Sequence, residues 1–255
     1  MKIVSYNVNG IRAALKKGLA EWIKNENPDI ICFQETKAHM EQVDVTALEE
    51  MGYYHDWFSA QKKGYSGVAT FSKVAPVEVI QGMENDKYDN EGRVLTSVFE
   101  DFAILNCYFP SGSSGDERHA FKMDYLNDFL PFIQDLKKEF PSMIVLGDYN
   151  VVHLDLDIHN PQRRDLPSGF RPEERAWMDQ WFDTEFNDAY RTLHPDQNDM
   201  YSWWSYRAGA RGNNKGWRID YISVTDNLKG KLRASRHAYE AVHSDHCPVI
   251  VEFKL

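Results

Sequence analysis

Six apolar runs, each next to a polar group, are the feature that most constrains the fold of this chain. Four runs end at the polar group and two begin after it: 3–6 before Asn7 and Asn9, 30–33 before Gln34 and Glu35, 104–107 before Tyr108, 144–147 before Asp148 and Asn150, 221–224 after Asp220, and 247–251 after Asp245 and His246. In a mixed sheet, the start of one strand lies beside the end of its antiparallel neighbour. We therefore expect all six groups to meet at one edge, where they predict a site for a metal ion and a phosphate.

The remaining secondary-structure patterns predict a mixed α/β class. Apolar residues at helical spacing predict helices over about 11–25, over about 117–140 and after Pro172. We expect three side chains of the third helix to point towards the core: Trp177, Trp181 and Phe182. Short apolar segments predict strands near 2–6, 29–35, 66–72, 93–99, 102–109, 142–148, 218–224 and 248–254.

The distribution of these elements bears on domain organisation. Apolar runs recur along all 255 residues, with no repeat and no linker of Pro, Gly and Ser between them. We therefore expect one domain over 1–255. Residues 153–171 show little periodicity and are predicted to form a long loop, and loops of this length are often functional.

Charge alone does not decide whether the chain binds nucleic acid. The net charge of −10 argues against such a partner. Screening has a length of about 8 Å at physiological salt, so a local basic rim outweighs a distant net charge. A solvated face is the alternative for each basic cluster. The clusters lie at 12–17, 62–63, 163–164, 207–218 and 229–236.

Two further features concern the cellular compartment. No apolar stretch approaches the roughly 20 residues that a membrane span needs, and the N-terminus does not resemble a signal peptide. We therefore expect a cytoplasmic protein with no membrane partner. The odd number of cysteines favours buried free thiols over disulfides or metal ligands; they are Cys32, Cys107 and Cys247.

The acidic groups suit metal and water chemistry. Glu35 follows an apolar strand, where a carboxylate suits a hard cation such as Mg²⁺; an ion pair with Lys37 is the alternative. Asp148 and Asn150 follow a glycine, and a tight turn there would expose both side chains on one side. The acid could then orient water and the amide could bind a phosphate oxygen, although an ordinary turn has the same pattern.

Two other segments suit phosphate binding. His246 could contact a phosphoryl oxygen while a carboxylate such as Asp220 fixes its tautomer; a hydrogen-bonded core histidine is the alternative. Tyr108 precedes the segment 110–115, which is rich in Ser and Gly. That segment offers amides and hydroxyls to a phosphate, or it is simply flexible.

An aromatic and basic segment at 201–218 points to the substrate. Aromatic rings interleaved with cations can stack on exposed sugars or bases and hold a nucleic-acid backbone. Core packing is the alternative for Trp204 and Tyr206, but it explains the neighbouring basic residues Arg207, Arg211, Lys215 and Arg218 poorly.

Taken together, these segments resemble the exonuclease III family of apurinic/apyrimidinic endonucleases, within the endonuclease/exonuclease/phosphatase superfamily. The similar segments run in family order: 5–13, 34–37, 64–68, 91–93, 108–110, 147–151, 169–170 with 172–175, 216–221 and 244–248. The resemblance implies a four-layered α/β sandwich, in which two mixed β-sheets pack face to face with helices on the outside. It also implies hydrolysis of DNA phosphodiesters that depends on Mg²⁺, with Mn²⁺ as a substitute.

The resemblance implies a role for each matching residue. Metal binding falls to Glu35, Asp245 and Asn9, and activation of the attacking water to Asp148. The scissile phosphate is held by Asn7, Asn150, Tyr108 and His246, with Asp220 orienting His246. The pocket for an abasic sugar is formed by Trp203, Trp217 and Ile219. Contacts to the DNA backbone come from Arg93, Tyr65 and Lys37.

Three departures from the family pattern limit what can be carried over. Position 9 is Asn where some members have a metal-facing Asp, and Asn is the weaker ligand. Residues 162–167 replace the Gly and Asn residues usual in that loop. No long basic N-terminal extension is present, so no regulatory arm is expected.

The leading hypothesis is a DNA-repair nuclease that acts as a monomer on double-stranded DNA containing abasic sites or 3′ ends. It would nick 5′ to abasic sites, leaving a 3′-OH and a 5′-deoxyribose phosphate; family members also differ in 3′-5′ exonuclease and 3′-phosphodiesterase activity. A superfamily phosphatase acting on lipid or inositol headgroups is the alternative, and it would not need the aromatic segment. A non-enzymatic DNA-binding module is the third, and it leaves the acidic groups unexplained.

Overall fold

The computed structural model describes residues 1–254, and the strands within them form two six-stranded mixed sheets. The strands are β1 Lys2–Asn7, β2 Ile30–Gln34, β3 Tyr54–Phe58, β4 Val68–Ser72, β5 Glu78–Gln81, β6 Val94–Val98, β7 Ala103–Tyr108, β8 Met143–Asp148, β9 Phe186–Asp188, β10 Asp220–Thr225, β11 Leu232–His237 and β12 Val249–Phe253. The first sheet has the order β11-β12-β1-β2-β4-β3 and the second the order β5-β6-β7-β8-β10-β9. Only the central pairs β1–β2 and β7–β8 are parallel among the described ladders. The predicted α/β class is confirmed.

The helices connect these strands. They are α1 Ile11–Lys16, α2 Leu19–Glu26, α3 Thr46–Glu50, α4 Asp86–Asp89, α5 Asp116–Glu139, α6 Pro172–Phe182, α7 Ala189–Leu193 and α8 Asp226–Lys229. The prediction of one continuous helix over 11–25 is wrong. Gly18 has a φ of +93°, a left-handed conformation that ends α1 and lets α2 start in a new direction. The apolar periodicity continues across the break because both helices cover the same sheet.

Side chains that alternate between the two faces of each strand produce the layers of the sandwich. Successive strand residues point to opposite faces, so Ile3 and Leu146 face the space between the sheets while Val4 and Val145 face outward. The outer face of the first sheet packs against α1 and α2, and that of the second packs against α5 and α6. The predicted four-layered sandwich is confirmed.

Other expectations have mixed outcomes. Trp177 and Trp181 are buried beneath α6 as predicted, whereas Phe182 is only half-buried. The three cysteines are free and buried, as expected. Residues 153–171 form a loop with one short 3-10 turn at Asp155–Asp157. Among residues 1–254 no helix is both long enough and apolar enough to cross a membrane.

The sequence patterns did not predict four of the strands. They are β3, β5, β9 and β11, which are the edge strands of the two sheets. An edge strand is exposed along one side and has fewer apolar residues, so the pattern that identifies central strands is weak there.

Candidate active site

The polar groups at the strand ends meet at one edge of the sandwich, as the apolar runs predict. Asp148 ends β8 and pairs directly with Asp220, which starts the antiparallel strand β10. Asn7 ends β1 in the other sheet, and its Nδ2 donates to Asp148 Oδ2 at 2.8 Å. The site therefore lies where the two sheets meet, and this hydrogen bond links them at the site.

The turn after β8 depends on a glycine. Gly147 has a φ of +140°, and a Cβ at this position would lie 1.8 Å from the carbonyl oxygen of Cys107. No side chain fits there. Asp148 Oδ1 then accepts from the backbone N–H of Asn150 at 2.8 Å, and Asn150 itself has a φ of +53°. The strained turn thus presents a carboxylate and an amide to the same cavity.

A second buried carboxylate holds the histidine. His246 Nδ1 lies 2.8 Å from Asp220 Oδ2, and both residues are buried. Burial alone would lower the pKa of His246. The charge and hydrogen bond of Asp220, followed by the charge of Asp148, outweigh that effect and raise it. The imidazole is therefore held as a cation, with Nε2 3.9 Å from Asp148 Oδ2.

The environment of Asp148 favours proton uptake. Burial is the largest cause, and the nearby Asp220 charge adds to it, so the pKa of Asp148 is raised well above that of a free aspartate. His246 and the hydrogen bonds from Asn150 and Asn7 oppose this shift only in part. A carboxylate with a raised pKa in a cavity is suited to accept a proton near neutral pH.

A second set of oxygen donors lines the same cavity. Glu35, Asn9 and Asp245 all line it. The Lys37 ammonium lies 2.9 Å from Glu35 Oε1 and 2.5 Å from Asn9 Oδ1, so these oxygens already hold a positive charge. Burial alone would raise the pKa of Asp245, but His246 and hydrogen bonds from Asn9 and Trp203 lower it overall. This donor set fits a hard divalent cation such as Mg²⁺.

A different group of side chains has the tightest geometry for a metal. Within residues 1–254, only Asp148, Asp220 and His246 form a set of three His, Cys, Asp or Glu ligand atoms within 4.8 Å of one another. A protonated imidazole has no lone pair to offer a cation. Since the surroundings of His246 raise its pKa, this group suits proton and phosphate chemistry better than metal binding.

Tyr108 lines the cavity, and Arg93 is buried next to it. Burial, followed by the charge of Glu35, raises the pKa of Tyr108, so its hydroxyl stays protonated and can donate. The Arg93 guanidinium lies 4.9 Å from the Tyr108 ring centroid and donates to the Tyr108 carbonyl oxygen at 2.7 Å. It also pairs with Glu91 at 2.6 Å, and only 2% of Arg93 is exposed. Burial and internal partners occupy the guanidinium, so the contact from Arg93 to DNA stays a prediction and would require this side chain to become exposed.

An aromatic pocket opens from the same cavity, whose volume is about 740 Å³. Trp203 and Trp217 meet edge to face with ring centroids 5.7 Å apart, and Ile219 completes the apolar wall. Trp203 Nε1 donates to Asp245 Oδ2 at 3.0 Å, which ties the pocket to the second set of oxygen donors. The three residues predicted to hold a sugar are thus brought together.

The other predicted DNA contacts lie farther out. Lys37 lines the cavity, but its ammonium binds Glu35 and Asn9. The Tyr65 hydroxyl accepts from Arg118 Nη2 at 2.8 Å and lies in the network around Glu91. Contacts from Lys37 and Tyr65 to DNA remain predictions.

Sequence reasoning missed the position of one cation. The Arg163 guanidinium lies 5.5 Å from the Trp217 ring and lines the cavity, where it also pairs with Asp165 at 2.8 Å. The sequence shows a basic pair at 163–164, but Arg163 and Trp217 are far apart along the chain and no local pattern joins them. The loop that departs from the family pattern therefore does reach the pocket.

Comparison with known proteins agrees with this geometry. The chain is 42% identical over 250 residues to the exodeoxyribonuclease of Bacillus subtilis (strain 168), and the match covers 98% of each protein. Its fold is similar over the full length of both chains to the 3′ phosphatase NExo from Neisseria bound to a product DNA hairpin (TM-score 0.93, 27% identity). An AP endonuclease from Archaeoglobus fulgidus is similar to the same extent (TM-score 0.91, 27% identity, all of both chains).

A sequence model of one family matches residues 4–246, which include the whole second sheet, most of the first sheet and every polar group at the strand ends. The strong identity to a nuclease over nearly the whole chain agrees with that match. The chain therefore belongs to the endonuclease/exonuclease/phosphatase family.

Proposed function

We propose that this chain is a DNA-repair nuclease that hydrolyses the phosphodiester 5′ to an abasic site in duplex DNA. The products would be a 3′-OH and a 5′-deoxyribose phosphate. Hydrolysis at 3′ ends would be a further activity of the same site. The relatives support this reading, since they are named as an exodeoxyribonuclease, a 3′ phosphatase bound to DNA and an AP endonuclease.

One observation carries the proposal. A single cavity joins the buried group of Asp148, Asp220 and His246 to the apolar pocket of Trp203, Trp217 and Ile219. The first group suits a phosphate and a water molecule, and the pocket suits a sugar without a base. An abasic nucleotide can leave the duplex at low cost because no base pair has to be broken.

The roles follow from charge and hydrogen bonding. Asp148 would take the proton of the attacking water. His246, held as a cation by Asp220, would donate from Nε2 to a phosphate oxygen, and the amides of Asn7 and Asn150 and the hydroxyl of Tyr108 would do the same. These donors are fixed before the substrate arrives, so they stabilise developing negative charge without reorganising. As the water oxygen attacks, the phosphorus–oxygen bond to the 3′ oxygen breaks, and that oxygen takes a proton from solvent water to become the 3′-OH.

The second set of oxygen donors would hold a cation. We propose Mg²⁺, with Mn²⁺ as a substitute, on Glu35 with Asp245 and Asn9 nearby. When bound, a divalent cation supplies Lewis acidity that neutralises charge on the phosphate and on the leaving oxygen. Lys37 would have to release Glu35 and Asn9 for that binding, which would free its ammonium for the DNA backbone.

The side chains that line the cavity indicate the class of substrate. The indoles of the pocket and the cations Arg163 and Lys215 line the same cavity. A phosphatase acting on a lipid headgroup would have no use for an apolar pocket formed by two indoles and Ile219, so that alternative is not favoured. We also propose that the chain acts as one domain, as a monomer and in the cytoplasm.

A substrate panel tests the function. The protein is offered a duplex with one synthetic abasic site, a 3′-recessed duplex and a phosphoinositide, each with Mg²⁺ and with EDTA. We expect Mg²⁺-dependent cleavage of the abasic duplex, and weaker hydrolysis at the 3′ end. Dephosphorylation of the headgroup without cleavage of either DNA would refute the proposal.

A further inference from the structure

A buried ion pair lies directly behind the catalytic turn. Lys122 on α5 and Glu174 on α6 are both 0% exposed, and Lys122 Nζ lies 2.6 Å from Glu174 Oε1. The same Nζ donates to the carbonyl oxygen of Asn150 at 2.8 Å. One ammonium thus joins two helices to the turn that carries the phosphate-binding amide.

Glu174 holds a second segment of the chain. Its Oε1 accepts from the Ser168 hydroxyl at 3.0 Å in addition to Lys122. Its Oε2 accepts from the backbone N–H groups of Gly169 at 2.6 Å and Arg171 at 2.9 Å. Four donors surround one carboxylate, so residues 168–171 cannot shift without breaking a buried hydrogen bond.

Gly169 lies between the catalytic turn and the sugar pocket. A Cβ at this position would lie 2.9 Å from the Asn150 carbonyl oxygen and 3.0 Å from Trp217 Cζ3. The Gly169 carbonyl oxygen accepts from the Val152 N–H at 2.7 Å. The segment held by Glu174 is therefore a spacer with the phosphate-binding turn on one side and the pocket wall on the other.

Stability alone is a weak reason for this arrangement. Desolvation of a buried ion pair cancels much of its attraction, and apolar residues of the same size often stabilise a fold as well or better. The buried faces of the two helices that carry the pair are otherwise largely apolar and aromatic, with Tyr125 and Phe129 on α5 and Trp177 on α6. A charged pair whose hydrogen bonds reach the site from two directions suggests a role in geometry.

We propose that Lys122 and Glu174 are positioning residues that set the distance between the Asn150 amide and the Trp217 wall. This inference rests on the proposed function, because the distance matters only if one substrate spans both. Misplacement of a catalytic group by about 1 Å can cost roughly a hundredfold in rate. Neither residue touches the substrate.

The test removes both charges together. In Lys122→Met/Glu174→Gln the core keeps its volume and no unpaired charge remains, so the double variant should be more stable to urea than either single variant. Its kcat on the abasic duplex should nevertheless fall by roughly tenfold to a hundredfold. Its preference for abasic over intact duplex, measured as a ratio of Kd values in EDTA, should also fall.

A more conservative substitution provides the test if the double variant does not fold. Glu174→Asp keeps the ion pair but withdraws the carboxylate by one methylene, so it cannot reach all four donors. We expect it to fold and to lose preference for the abasic duplex. The matched control is Lys137→Met/Glu185→Gln. Lys137 also lies on α5 and binds a carbonyl, that of Thr184, and a carboxylate, but far from the cavity.

The outcomes separate this inference from the proposed function. Wild-type kcat and wild-type Kd ratio in a folded double variant, or in Glu174→Asp, would overturn the positioning role. An equal loss in the Lys137 control would overturn it too. If the wild-type chain acts only at 3′ ends, the abasic-site function fails, and the pair is then judged by kcat on the 3′-recessed duplex.

Discussion

Asp220 lies directly opposite Asp148 in the antiparallel ladder, so two buried carboxylates occupy one edge of the second sheet. His246 offsets their repulsion: its Nδ1 is 2.8 Å from Asp220 Oδ2, and its Nε2 is 3.9 Å from Asp148 Oδ2. The two carboxylates therefore differ in task. We propose that Asp220 holds the His246 imidazolium in place and that Asp148, whose pKa is raised, accepts a proton.

Replacing Asp220 with Asn tests this division of labour. Asp220→Asn keeps the size of the side chain but removes the charge that orients His246 and raises its pKa. We expect kcat on an abasic duplex to fall on the order of a hundredfold or more, with unchanged far-UV circular dichroism. Single-turnover cleavage at saturating Mg²⁺ measures it.

The control for that variant is a second Asp–His pair. Asp179 is exposed and lies 2.8 Å from His153 Nε2, away from the cavity. Asp179→Asn should leave cleavage unchanged. Full activity in Asp220→Asn would show that His246 needs no partner.

Removing one carboxylate from the proposed metal side tests the assignment of the cation. Glu35→Gln keeps the shape but loses an anionic oxygen, so Mg²⁺ affinity should fall by about tenfold or more. Calorimetric titration of the DNA-free protein measures this without any activity assay. Glu49→Gln, at an exposed carboxylate beside His55, is the control and should bind Mg²⁺ like the wild type. Unchanged affinity in Glu35→Gln would place the cation elsewhere.

Truncating the pocket wall tests how the substrate is recognised. Trp217→Ala removes apolar contact with the sugar, and full burial of one large apolar side chain is worth about 1.5–3 kcal/mol, so the Kd for an abasic duplex should rise by roughly tenfold to a hundredfold. Affinity for intact duplex should change far less, because no sugar enters the pocket. Fluorescence anisotropy in EDTA gives both constants. Tyr54→Ala, at an exposed aromatic residue on the edge strand β3, serves as control. Equal losses for the two duplexes would contradict the pocket.

The sequence patterns identify the strand ends well because central strands leave a strong local signal. A run of buried apolar residues stops where the sheet stops. The sequence alone therefore places Asn7, Asp148 and Asp220 at one edge. The antiparallel rule then places Asp220 beside Asp148. The role of Arg93 could not be read in this way, because the partners that bury its guanidinium are set by tertiary packing.

Buried charges are the main features that the patterns missed. Lys122 lies on the apolar stripe of α5 with Tyr125, Leu126 and Phe129, which is a signal that this lysine points inward. Its partner Glu174 is 52 residues away and on another helix. Residue spacing predicts the faces of one helix or strand at a time. It therefore cannot predict an ion pair between two helices that are far apart in the sequence.

A buried histidine predicts a pH dependence of stability. His237 on β11 is 5% exposed and neither ring nitrogen has a partner among the described residues. Burial, followed by the charge of Arg218, lowers the pKa of His237 to about 3 from 6.5. Other neighbours are the charged or titratable groups Asp157, Arg191 and His194 and the rings of Tyr190 and Tyr239.

The sign follows from proton uptake. Above pH 6.5 the residue is neutral in both states. As the pH falls from 6.5 towards 3, the unfolded chain binds a proton that folded His237 refuses, so the free energy of unfolding decreases by about 1.4 kcal/mol per pH unit. Urea midpoints between pH 7 and pH 5 should fall less steeply in His237→Phe than in the wild type. Parallel slopes would show that the pKa of His237 is the same in the folded and the unfolded chain.

The position and chemistry of the nick test the central claim most directly. A duplex with one synthetic abasic site, labelled at the 5′ end of the damaged strand, is treated with the protein and Mg²⁺. The account predicts one cut immediately 5′ to the lesion, with a 3′-OH that a DNA polymerase can extend, and no cut in EDTA. A cut on the 3′ side, an end that cannot be extended, or cleavage that persists in EDTA would contradict it.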